Sequence, residues 1–251
     1  LAIRRLRSAP VVADALGCVA DVLTIVSMLS VPSVFQRPKE RMEEADAMRE
    51  KFSVPESDLL TLLNVYQQWL SNEKRDSWSN SHFIHAKALH RAHEVHEQLF
   101  DILTQQKVPV VNKEQNSRNW DAVRKCIAAS NLGRAARMHG LGQYANLRTG
   151  MPCHLHPTSS IFGLGFTPEY IVYHELIMTS KEYMQGVTVV EPSWLAEAGP
   201  MIYSLRVTEN VTSSGSFTVP SRKVINYSDV SSPLRLGSIG TGHRNDSVDS
   251  S

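Results

Sequence analysis

Through the first part of the chain, apolar residues recur every three or four positions, the spacing that gathers side chains on one face of a helix. In "SDLLTLLNVYQQWL", Leu59, Leu60, Leu63, Tyr66 and Leu70 follow that spacing, with Ser57 placed to cap the helix. "DVLTIVSMLS" is an apolar helical run stopped by Pro32, which has no amide hydrogen to continue the ladder. "KERMEEADAMREKF" is charged and helix-prone, the composition of a solvent-facing helix. "NSHFIHAKALHRAHEVHEQLFDILTQQ" reads as one long amphipathic helix with Asn80 as its cap. "NWDAVRKCIAASNLGRAARM" is a further helix, ending near Gly140 and Gly142.

After Gly142 the period changes. Short runs rich in Val, Ile, Tyr and Thr alternate with turn residues: "QYANLRT", "MPCHLHP", "EYIVYHELIMTS" and "YMQGVTVV". About five strands in about sixty residues predict a small antiparallel barrel of the OB type, whose open face commonly takes single-stranded nucleic acid. From about Arg206 the chain is rich in Ser, Gly, Asn and Asp, with too few large apolar residues to build a core, and reads as a disordered tail. The expected fold class is α+β: an N-terminal helical bundle, then the barrel, then the tail.

Composition narrows the function classes only modestly. The 251 residues carry 26 Lys and Arg against 25 Asp and Glu, so whole-chain charge does not impose a nucleic-acid partner and any basic surface must be local. Cys18, Cys126 and Cys153 are odd in number and form no CxxC pair, which favours a reducing compartment such as cytosol or nucleus. The most apolar run, Val22 to Phe35, is too short and too polar to cross a bilayer, and no membrane partner is expected. The opening "LAIRRLRSAP" is arginine-rich with no acid before Asp14; it reads faintly as a transit peptide, or more simply as the start of an excerpt from a longer sequence.

Two clusters invite a metal reading, and both are disfavoured. His82, His85, His93 and His96 fall on one side of the long helix, but there is no HExxH and no carboxylate at ligand spacing on that face. In "PCHLHP", strand alternation sends Cys153 and Leu155 one way and His154 and His156 the other, separating the thiol from its supposed co-ligands. Cys153 is then a small core residue. The sequence also lacks a GxSxG elbow, a GxGxxG turn and a GxxxxGK[ST] phosphate loop, and "FGLGF" reads as a turn. No catalytic residue, no metal and no cofactor is assigned to this chain.

The blocks "GCVADVLTIVSMLSVPSVFQRP", "FSVPESDLLTLLNVYQQW" and "RTGMPCHLHPTSSIFGLGFTPEYIVYHELIMTSKEYMQGVTVVEPSWLAEAGPMIYSL" closely resemble the C-terminal region of DEAH-box RNA helicases of pre-mRNA splicing. The phrasing is nearest to the spliceosomal ATPase acting around the second transesterification step. The resemblance implies a helicase-associated, ratchet-like domain over 17–130 and an OB-fold domain over 131–205. Residues 1–16 are a divergent start and 206–251 a Ser-rich tail, neither matching the family. It further implies that this module packs on two RecA-like motor domains of the same protein and closes a channel for single-stranded RNA. ATP and Mg²⁺ would be bound by the motors of the full-length helicase, in the nucleus, with spliceosomal proteins and a G-patch activator as partners. The chain by itself is expected to lack ATPase activity. Two alternatives stand beside this: a motorless RNA-binding or partner-docking adaptor, and a gene fragment with no independent role.

Matching the family's loop pattern points first to "TSKEY", where Thr179, Ser180 and Lys181 set a cation beside two hydroxyls; the other reading is an ordinary polar hairpin. Arg148, His156, Ser159 and Ser160 come next, as donors at the barrel rim. Tyr183 and Tyr173 either stack on bases or pack within their strands. Trp69, Trp120 and Trp194 are expected core anchors.

Overall fold

In a computed structural model of the protein, the described residues are 17–108, 110, 120–140, 142–163, 167–208 and 222–227. Among the described residues six helices come first: α1 (Val19–Leu29), α2 (Met42–Phe52, entered through a 3₁₀ turn), α3 (Asp58–Ser71), α4 (Asp76–Ser81), α5 (Ala86–Gln105) and α6 (Trp120–Ser130). Ser57 caps α3 as its position implies: the hydroxyl accepts from the amides of Leu59 and Leu60 at 3.1 and 3.2 Å. Trp69, Tyr66, Ile84, Leu89 and Ala92 pack with Phe52 and Val34 into the centre of the helical part.

The long amphipathic run is not one helix. It breaks at Phe83–His85, with Phe83 at φ +56°. There the backbone crosses the segment Val34–Gln36: the His85 amide donates to Val34, and the Gln36 amide donates to Phe83, both at 2.8 Å. Ile84 is drawn fully into the core by this pairing, which outweighs the local helical preference. Asn80 therefore lies within α4. His85 caps α5 instead, its side chain accepting from the Ala88 amide.

Seven short strands follow: β1 (Ala135–Gly140), β2 (Gln143–Asn146), β3 (Pro152–Leu155), β4 (Tyr170–Val172), β5 (Glu175–Met178), β6 (Glu182–Gln185) and β7 (Thr188–Val189). Their order is β5-β6-β3-β2-β1-β4-β7. Every pairing is antiparallel except β3 with β6, which run parallel, so the sheet is mixed where alternation alone suggests a purely antiparallel barrel. Tyr144, Cys153, Leu155, Ile171 and Met184 fill its interior. A second core runs continuously from α1, α3 and α6 into Ala135, Tyr170 and Val172 of the sheet, so helices and strands share one apolar interior.

Helix α7 (Pro192–Ala198) leads into a hairpin of β8 (Tyr203–Thr208) and β9 (Arg222–Tyr227). The sequence reading places all of 206–251 in a disordered tail, and the structure corrects it for these strands. Tyr203 pairs with Tyr227 and Thr208 with Arg222. Buried Ile225 joins the shared core, and its amide donates to the Tyr170 hydroxyl at 3.2 Å. The remainder of the tail, and residues 1–16, lie outside the described residues.

Candidate nucleic-acid interface

A cleft of about 710 Å³ lies where the helices meet the sheet. One wall comes from the end of α1, the Val31–Arg37 segment, α2 and the start of α3. The other comes from the turn after β3 and from Glu175, Gln185 and Gly186. The seam beneath it is stitched by backbone. The Asp58 amide donates to the Val187 carbonyl and the Val189 amide to the Glu56 carbonyl, each at 2.8 Å.

Two charged side chains of the helical wall hold the turn after β3. The Arg49 guanidinium donates to the Thr158 carbonyl at 2.6 Å while lying 4.4 Å from the centre of the Phe35 ring. Burial lowers its pKa, against the opposing fields of Asp58 and Asp46. The Asp58 carboxylate accepts from the Ser159 hydroxyl on both oxygens at 3.0 Å, from the Ser160 amide at 2.6 Å and hydroxyl at 2.9 Å, and from the Val187 amide at 2.8 Å. Arg37 is paired in fork fashion with Asp46, at 2.8 and 2.7 Å. Phe162, 54% exposed, stands at the cleft as an uncovered aromatic ring.

The sequence-predicted residues divide into three groups. His156, Ser159 and Ser160 line the cleft. His156 Nδ1 accepts from the Thr158 amide at 3.2 Å, so in the neutral ring the proton sits on Nε2. The hydroxyls of Ser159 and Ser160 are given to Asp58, and Ser159 is buried, so neither stands at the rim as a ready donor. Thr179, Ser180 and Lys181 form the exposed β5–β6 hairpin, closed by a 3.1 Å bond from the Thr179 amide to the Lys181 carbonyl. Tyr183 links the two groups: its ring centre lies 5.7 Å from that of His156 and 6.1 Å from that of His154. Arg148 stands apart, exposed on the β2–β3 turn, where its amide donates to the Asn146 side chain at 2.9 Å.

Tyr173 packs inside the sheet, its hydroxyl accepting from the Asn146 side-chain Nδ2 at 2.7 Å. Cys153 is buried in the strand interior, and burial pushes its thiol up to about 12, a poor ligand and nucleophile at neutral pH. Among the described residues no three His, Cys, Asp or Glu side chains converge as a metal set. Nor is any helix there long and apolar enough to cross a membrane. Sequence reasoning missed Asp58, Arg49 and Phe162. Asp58 reads locally as an acid in the first turn of a helix, and Arg49 as one charge among many on an exposed face.

A helical wall thus faces an OB-type sheet across the cleft. Residues 123–202 match the oligonucleotide/oligosaccharide-binding (OB)-fold family, and residues 7–62 match the helicase associated domain (HA2), ratchet-like, a match that takes in residues 7–16 of the stretch expected to be a divergent start. Among similar proteins, the pre-mRNA-splicing factor ATP-dependent RNA helicase prp22 of Schizosaccharomyces pombe is 37% identical over 198 residues, covering 78% of this chain and 16% of that protein. The human "Probable ATP-dependent RNA helicase DHX35" is 35% identical over 187 residues, covering 74% of this chain and 26% of that protein. Its Pongo abelii counterpart is 36% identical over 187 residues, with 74% of this chain and 25% of that protein covered. The chain belongs to the DEAH-box RNA helicases, as the helicase-associated and OB-fold part of their C-terminal region. It spans about a quarter or less of the length of these relatives.

Proposed function

We propose that this chain forms the RNA-facing and regulatory part of an ATP-dependent RNA helicase that remodels the spliceosome in the nucleus. The observation that carries the reading is the line from the cleft to the hairpin. His156 borders the cleft and meets Tyr183, which is two residues from Lys181. A single strand laid along that line finds an imidazole N–H, an aromatic ring and an ammonium group in turn. That is the mixture of phosphate donors and stacking surfaces that sequence-tolerant binding uses. ATP and Mg²⁺ belong to the RecA-like motor domains of the full-length helicase, since the sequence here holds no GxxxxGK[ST]. Spliceosomal proteins, a G-patch activator among them, are the proposed partners.

The test is fluorescence anisotropy with a labelled single-stranded RNA at two salt concentrations. Binding is expected to be weak and salt-sensitive, and Lys181→Ala to weaken it by about three- to tenfold. Equal binding by the variant would remove Lys181 from the interface; no binding by either protein would overturn the RNA reading.

One observation favours the docking-adaptor alternative. β5 is an edge strand of the sheet, and it exposes Leu176 at 42% and Met178 at 73%, an open edge suited to a protein partner. On that reading the chain shows no RNA affinity even at low salt.

A further inference from the structure

We propose that Asp58 is the positioning residue of the cleft: from the helical wall, its carboxylate sets where the sheet's turn presents His156. The inference rests on the RNA reading of the same cleft. Asp58 lies at the first position of α3, and the groups it holds follow it by 101 to 129 residues in the chain. Its two oxygens take the Ser159 hydroxyl, the Ser160 amide and hydroxyl, and the Val187 amide, which uses the full acceptor capacity of a carboxylate.

The turn is folded back on itself. The Ser159 amide donates to the His156 carbonyl at 2.9 Å, and the Phe162 amide to the Ser159 carbonyl at 3.1 Å. A shift of Ser159 therefore carries His156 at one end and Phe162 at the other. Arg49 holds the middle of the same turn at the Thr158 carbonyl. By contrast, the Thr179–Lys181 hairpin has no contact with Asp58 among these bonds, and so should not follow it.

An amide in place of the carboxylate keeps the shape but turns an NH₂ group toward donors that need an acceptor. The turn is then released on one side while the apolar core is untouched. Because Asp58 acts through His156, the two should be energetically coupled, whereas Asp58 and Lys181 should act independently.

The experiment is a double-mutant cycle on the whole chain, read by anisotropy with a fluorescein-labelled oligouridylate of about twelve nucleotides. Folding of each variant is checked by circular dichroism. Asp58→Asn is expected to weaken binding about five- to tenfold. His156→Ala should then cost nothing further in the Asp58→Asn background, while Lys181→Ala should weaken binding by the same factor in either background. Should Asp58→Asn fail to fold, Ser160→Ala removes one of the four donor groups and should show the same pattern at smaller amplitude. Wild-type affinity in Asp58→Asn, or losses that simply multiply with His156→Ala, would overturn the positioning role and leave the RNA reading standing. Absence of binding by the wild-type chain would overturn both.

Discussion

The hydroxyls of Ser57 and Thr188 meet at 2.7 Å, 131 residues apart in sequence, at a point where neither residue has any solvent exposure. Ser57 also caps α3, so one side chain ends a helix and ties that end to strand β7. The helical part and the sheet are thus joined at the root of the cleft by hydrogen bonds that water cannot replace.

Removing that hydroxyl should be expensive. Ser57→Ala loses the cap, about 1 kcal/mol, and leaves the Thr188 hydroxyl buried without its partner, about 1–3 kcal/mol. A total of about 2–4 kcal/mol should appear as a lower midpoint in urea denaturation with an unchanged slope. An unchanged midpoint would show that the pair contributes nothing net.

Two glycines beside the cleft should respond differently to the same substitution. Gly186 sits at φ +65°, and a Cβ there would lie 2.8 Å from that of His174. Gly163 sits at φ +81° with nothing within 4 Å. Gly163→Ala should cost only the backbone term, about 1–2 kcal/mol. Gly186→Ala should cost that plus a displacement of His174, a further 1–3 kcal/mol or so. Thermal melts of the two variants check the order; equal losses would mean that His174 moves aside freely.

Acid should weaken the helical part through His93 and His96. His93 Nε2 accepts from the Lys74 ammonium at 2.6 Å, and its Nδ1 meets the Tyr66 hydroxyl at 2.7 Å. Burial, then the Lys74 charge, hold His93 below the usual 6.5, against the pull of Glu97; His90 adds slightly to the lowering. His96 is held down by burial and by His93, again opposed by Glu97. The unfolded chain therefore takes up these protons at a higher pH than the folded one. Their stabilising contribution is complete above about pH 6.5 and is lost as pH falls toward the lower folded values. The melting temperature should drop from about pH 7.5 to about pH 5.5, and the drop should shrink in His93→Gln. An identical pH profile in the variant would place the linkage elsewhere.

Much of the architecture can be read from local pattern. The 3.6-residue spacing of Leu59, Leu60, Leu63 and Tyr66 marks a helix whose apolar face is buried, and Ser57 caps it as a serine before such a run should. Period-two alternation in "PCHLHP" sends Cys153 and Leu155 inward, away from His154 and His156. The family resemblance, spread over several long blocks, likewise lay in the residues themselves. These features depend on neighbours within a turn or a strand, which a linear sequence contains.

What tertiary structure alone decided depends on partners far along the chain. Phe83–His85 leave the helix because Val34–Gln36 run beside them. Residues 222–227 become a strand because they pair with Tyr203–Thr208, and Ile225 joins the shared core. Ser159 and Ser160, by their residue type and loop position, look like free rim donors until Asp58 arrives to accept from them. A hydroxyl or a carboxylate carries the same chemistry in any sequence. Whether it faces solvent or a buried partner is set by the path of the backbone, and that path is fixed only when the helices and the sheet close over a common core.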